Sequence, residues 1–233
     1  MLPCWHCRCQ SSHANPAMSD PQNWRAHRLV AENLSVARGG LAVLEGIDLN
    51  LASGAALVLR GVNGIGKTSL LRTLAGLQPP FVGVLQVPPE DLTYAGHADG
   101  LKSVLSVQEN LSFWAQVAGQ TGTGRAMTAM DLTTLAHRRA ADLSAGQKRR
   151  LGLARLLVTG RWLWLLDEPT VSLDTASAAL FVSVLRAHLG QGGSAVIASH
   201  IDLGLPEAEM MDLTRYRALH DAPTRGGFDE AFT

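Results

Sequence analysis

The sequence predicts an α/β fold built on a mostly parallel sheet. Three observations carry that prediction. Two short apolar runs, Trp162 to Leu166 and Ala195 to Ala198, show no polar alternation, as strands buried on both faces do. A helical stretch from Thr175 to Leu189 lies between them. A further strand, Ala55 to Leu59, runs into a glycine-rich loop and then a helix, and strands alternating with helices build parallel sheets.

The elements follow in chain order. Leu34 to Leu59 reads as short strands: Leu41 to Leu44, then Ile47 to Leu51 in alternation, then Ala55 to Leu59 after a Ser53-Gly54 turn. A helix from Lys67 to about Leu77 sets Leu70, Leu71, Leu74 and Leu77 on one face, with Pro79 and Pro80 ending it. Val82 to Val87 and Leu92 to Tyr94 read as strands. Ser106 and Glu109 form a capping box that opens a helix with Leu111, Phe113, Trp114 and Val117. Gly119 to Gly124 breaks it, and a second helical stretch runs to about Arg139. Residues 101–142 are thus expected to form a helical lobe inserted between strands. After Ser144 comes a helix carrying Leu151, Leu153, Leu156 and Leu157, and then the two buried strands.

Composition narrows the class. The chain has 233 residues, enough for one α/β domain with a small inserted lobe, and 46% apolar residues supply its core. Only 17% are charged, below the usual quarter or so, which suggests that a partner covers part of the surface. Twenty basic and twenty acidic residues balance, which argues against nucleic acid as a partner. The most apolar region, Leu151 to Leu166, is interrupted by Arg155 and Arg161, so no membrane span is expected. No apolar run follows a basic start, so a cytoplasmic chain is expected. Cys4, Cys7 and Cys9 all fall in the first nine residues and leave the core without a disulfide. Cys4-Trp5-His6-Cys7 offers half a metal site without a second pair, and Arg8 stands where a haem-attachment motif needs histidine. Residues 1–27 are therefore read as a disordered extension, with Met18 as a more ordinary beginning, and 216–233 as a polar tail.

Gly61-Val62-Asn63-Gly64-Ile65-Gly66-Lys67-Thr68 fits the phosphate-binding P-loop pattern, followed by Ser69. Glycines let successive N–H groups point inward, and the helix that follows adds its positive dipole end. Lys67 supplies a cation for the β- and γ-phosphates of ATP, and the Thr68 hydroxyl a ligand for Mg²⁺. Leu163 to Glu168 is an apolar strand ending in two carboxylates. Asp167 is placed to hold Mg²⁺ and Glu168 to polarise an attacking water. Ser144 and Gly146 at a helix N-terminus suit an anion, although Ser144 would also serve as an ordinary cap.

Leu143-Ser144-Ala145-Gly146-Gln147 resembles the signature motif of the ATP-binding-cassette family. Ser172-Leu173-Asp174 resembles its dimer-contact loop, and Ala198-Ser199-His200 its switch histidine. The resemblance spans residues 28–215. It implies a P-loop NTPase core with an antiparallel β subdomain and an inserted α-helical subdomain. It also implies a head-to-tail homodimer in which Ser144 and Gly146 of one chain meet ATP held by the other. His200 would sense the γ-phosphate and Asp174 would lie at the contact. Two positions depart from the pattern. His97 stands where the family places a glutamine, and Arg38 alone is available to stack on adenine. Tyr94 to His97, Glu109 to Trp114, Ala145 and Ser199 to Pro206 are similar to the ATPase subunit of the haem exporter of bacterial cytochrome c maturation. That likeness implies integral membrane partner subunits and peripheral attachment at the cytoplasmic face of the inner membrane. A cassette for another transporter and a non-transport cassette ATPase are the alternatives.

Overall fold

The computed structural model describes residue 24 and residues 26–87 and 91–218. The readings of Cys4, Cys7, Cys9 and Met18, and of the tail beyond Ala218, lie outside the described residues. Five strands form the central parallel sheet in the order β5-β6-β7-β3-β8: β3 (Ala56–Arg60), β5 (Leu92–Ala95), β6 (Leu163–Asp167), β7 (Ser194–Ala198) and β8 (Glu209–Asp212). A separate antiparallel sheet runs β2-β1-β4, with β1 (Arg28–Arg38), β2 (Leu41–Ala52) and β4 (Val82–Gln86).

The side-chain alternation of β6 and β7 explains why their sequences are wholly apolar. Trp164, Leu166, Ala195 and Ile197 enter one core, with α2 (Val107–Val117), α4 (Ala145–Thr159) and α5 (Thr175–Gly190). Leu163, Leu165, Val196 and Ala198 enter a second core on the opposite face, with α1 (Lys67–Leu74) and the antiparallel sheet. Both faces are covered, so neither strand has a polar side to show. The short α3 (Gly124–Ala129) completes the helices between β5 and β6.

Several elements differ from their sequence reading. Leu41 to Leu51 is one strand and not two, and β1 begins at Arg28. Asn33 (φ +47°) and Gly46 (φ +68°) sit at register shifts between β1 and β2, so a bulge bends a continuous strand where the glycine suggests a break. α1 stops at Leu74, short of the prolines. Gly76 adopts φ +68°, its N–H donates to Thr73 O, and the Leu77 N–H donates to Arg72 O, a left-handed cap that closes the helix. Leu77 consequently leaves the apolar face and is 56% exposed. The stretch before Arg139 holds only α3 and a 3₁₀ turn at Thr133–Leu135.

Candidate functional site

Four neighbouring strands of the parallel sheet end at one edge, the position where open α/β sheets bind ligands. β3 leads into the glycine loop, β5 into Gly96-His97, β6 into Glu168, and β7 into Ser199-His200. A cavity of about 640 Å³ opens there. Asn63, Gly64, Gly66, Lys67, Thr68 and Ser69 form one side, and Asp167, Glu168, His97 and His200 another. Arg38 and Val43 contribute from the antiparallel sheet.

The loop geometry needs its glycines. Gly61, Gly64 and Gly66 have φ of +144°, +83° and +118°, and a Cβ on Gly66 would stand 3.0 Å from Leu44 Cδ1. Lys67 is 8% exposed and folds into its own loop, where Nζ donates to Gly61 O (2.8 Å) and Val62 O (3.3 Å). Val62 itself points outward and is exposed, whereas Ile65 is buried against Gly61. Among the described residues, the N–H groups of Gly64, Gly66, Lys67 and Thr68 take no backbone acceptor. Those donors and one ammonium form a cradle for a polyphosphate.

Asp167 is 1% exposed, and its Oδ2 has no hydrogen-bond partner. His97 Nε2 approaches that oxygen at 3.6 Å from a largely exposed side chain. Burying a carboxylate oxygen without a donor is costly, and a divalent cation beside the Thr68 hydroxyl would satisfy it. The site therefore fits Mg²⁺. The Tyr94 hydroxyl has its pKa raised first by burial and then by the charge of Asp167.

Glu168 lies in the left-handed region at φ +48° and is buried. Its N–H donates to Ala198 O at 2.9 Å, and its Oε2 meets His200 Nδ1 at 2.9 Å, so the ends of β6 and β7 clamp it twice. Arg60 Nη1 donates to Ser199 O (3.0 Å) and Ile201 O (2.8 Å), which fixes the loop carrying His200. A carboxylate held against an imidazole across a phosphate cradle can orient and activate a water.

Three sequence candidates lie elsewhere. Ser144 is exposed and caps α4 in a capping box with Gln147, Oγ accepting from the Gln147 N–H at 3.3 Å. Gly146 packs under Ser172, where a Cβ would stand 3.3 Å from the Ser172 carbonyl oxygen. Asp174 caps α5, accepting from the Ser177 N–H at 2.7 Å, which lowers its carboxyl pKa. None of the three lines the cavity of its own chain. Sequence reading missed Arg72 and Gln78, which also line it. Arg72 lies one helical turn beyond Thr68, a spacing that puts it on the same face.

Residues 44–171 match the family model of the ABC transporter. The chain is 61% identical over 206 residues to the cytochrome c biogenesis ATP-binding export protein CcmA of Rhodobacter capsulatus, covering 88% of this chain and 96% of that protein. With the protein of the same name from Paracoccus denitrificans the identity is 62%, covering 88% and 98%. Among solved structures, an ATP-binding subunit of an ABC transporter superposes with a TM-score of 0.74 at 19% identity, covering 80% of this chain and 86% of that one. That last likeness shows the fold alone.

Proposed function

The chain belongs to the ABC transporter family, in the group of the cytochrome c biogenesis ATP-binding export proteins, and from this premise we propose that two copies of it close around two ATP molecules to drive a membrane export complex. ATP binding and hydrolysis are the family's activity. The observation that carries the reading is the division of the chain's anion sites. One cavity gathers Lys67, Thr68, Asp167, Glu168 and His200, while Ser144 and Gly146 stand outside it on an exposed helix start. A facing copy would bring its own Ser144 and Gly146 to the open side of the nucleotide.

In this reading the free N–H groups of Gly64, Gly66, Lys67 and Thr68 hold the β- and γ-phosphates, and the Lys67 ammonium turns from its loop carbonyls to them. Arg38 stacks its guanidinium on the adenine beside Val43. Thr68 and Asp167 would hold Mg²⁺, which would supply neutralising charge at the phosphates. Glu168 orients the attacking water, and His200, bonded to it, reports the presence of the γ-phosphate. His97 takes the place of the family's glutamine at the edge of the metal site.

The relatives' name places their export in cytochrome c biogenesis, and in this reading the exported cargo is haem. Among the described residues no helix is long and apolar enough to cross a membrane. Attachment at the cytoplasmic face of the inner membrane would therefore run through partner chains. Affinity capture of the native chain from detergent-solubilised bacterial membranes tests this. Integral membrane subunits that co-elute in fixed ratio support the reading. Recovery of the chain wholly in the membrane-free fraction, with holocytochrome c formation intact after its deletion, would refute it.

A further inference from the structure

Arg149 is the one buried arginine among the described residues, 5% exposed, and nothing in the phosphate cradle calls for a cation there. Its donors are fully spoken for. Nε donates to Pro169 O at 3.0 Å, and Nη2 to Glu168 O at 2.8 Å and Asp167 O at 3.3 Å. Nη1 donates to Gly96 O at 3.0 Å and to Asp99 Oδ1 at 2.9 Å. Three successive carbonyls thus converge on one guanidinium, at the turn where Glu168 is held at φ +48°. The remaining donor grips the loop that carries His97. The side chain itself comes from the second turn of α4, whose first turn presents Ser144 and Gly146.

We propose that Arg149 is a positioning residue that locks the Glu168 backbone, the His97 loop and the start of α4 into one rigid unit. The inference rests on Glu168 aligning the water. A planar fork with five N–H groups can satisfy diverging carbonyls that a lysine ammonium cannot reach together. Movement of Glu168 when a phosphate is lost must therefore carry both the His97 loop and the exposed Ser144 with it. The catalytic carboxylate of one site is in this way tied to the serine offered to a twin's site. Asp99 anchors the unit from outside: its side chain packs against Gly152, where a Cβ would stand 2.8 Å from Asp99 Oδ1, and its carbonyl accepts from Arg155.

The test compares native full-length chain, Arg149→Met and Arg149→Lys by two readouts. Hydrogen exchange needs no activity: exchange should quicken in residues 96–101 and 167–173 of Arg149→Met, with α1 unchanged. In ATPase assays, Arg149→Met should lose kcat roughly 100-fold, with KM and the ATP dissociation constant within twofold of native. Arg149→Lys should recover part of that loss. Folded variants with native kcat and native exchange in both segments would overturn the proposal. So would a loss of ATP affinity that matches the loss of kcat. Should Arg149→Met fail to fold, Arg149→Lys decides by the same criteria. A native chain without turnover, yet with the exchange change, would fail the ATPase reading and leave the locked unit standing.

Discussion

His188 lies flat against Trp164, ring centroids 3.7 Å apart at 7°, with Trp24 edge-on at 5.6 Å. Its Nε2 donates to Trp162 O at 3.0 Å in the neutral tautomer. Burial pushes its pKa down to about 4, partly offset by backbone bonds at Trp162 and Ser194. In the unfolded chain the same imidazole titrates near 6.5. Between those values the unfolded state binds the extra proton, so stability present above about pH 6.5 is lost as pH falls towards 4. The loss attributable to this side chain is on the order of 3 kcal/mol. Urea denaturation across that range should show it, and His188→Leu, whatever its baseline, should show a shallower decline. Equal declines in both proteins would remove His188 as the cause. The phosphate-loop residues were legible because their chemistry is a local spacing. Arg149 was not, because its partners lie 53 and 19 residues away in sequence, at Gly96 and Glu168. Only the fold brings them within reach.

Helix starts in this chain have a capping role that can be tested separately from the twin contact proposed for them. Asp174 opens α5 and accepts the Ser177 N–H, so its carboxylate works as a cap within its own chain. Asp174→Ala should lower the unfolding free energy measurably, and Asp174→Asn by much less, because an amide oxygen still caps. Chemical denaturation reads the difference, and equal losses would deny the cap its role. The capping box at Ser106 was readable in sequence because the motif is four residues long, whereas Ser144 read only as a cap and its box with Gln147 came from the structure. β8 was not readable: Glu209-Met210-Met211-Asp212 is a short edge strand with little buried surface, and its pairing with β3 supplies the order its sequence lacks. The end of α1 misled for a different reason. Leucine spacing continued to Leu77, but Gly76 had already turned the chain.

At the scale of the whole molecule, two cores clasp one sheet, and the sheet's carboxyl edge gathers residues from four strands. The apolar strands announced that arrangement, since only a sheet covered on both faces can afford no polar alternation. Strand order, and with it the meeting of Glu168 and His200, came from tertiary pairing of β6 with β7. In the proposed reaction, turnover depends on Glu168 activating water at a nucleotide held by Lys67. Phosphate release from MgATP by the native chain and by Glu168→Gln, each at the same measured nucleotide occupancy, examines this most directly. The variant should bind as the native chain does and release phosphate at least about 100-fold more slowly. Equal rates at equal occupancy would contradict the role proposed for Glu168.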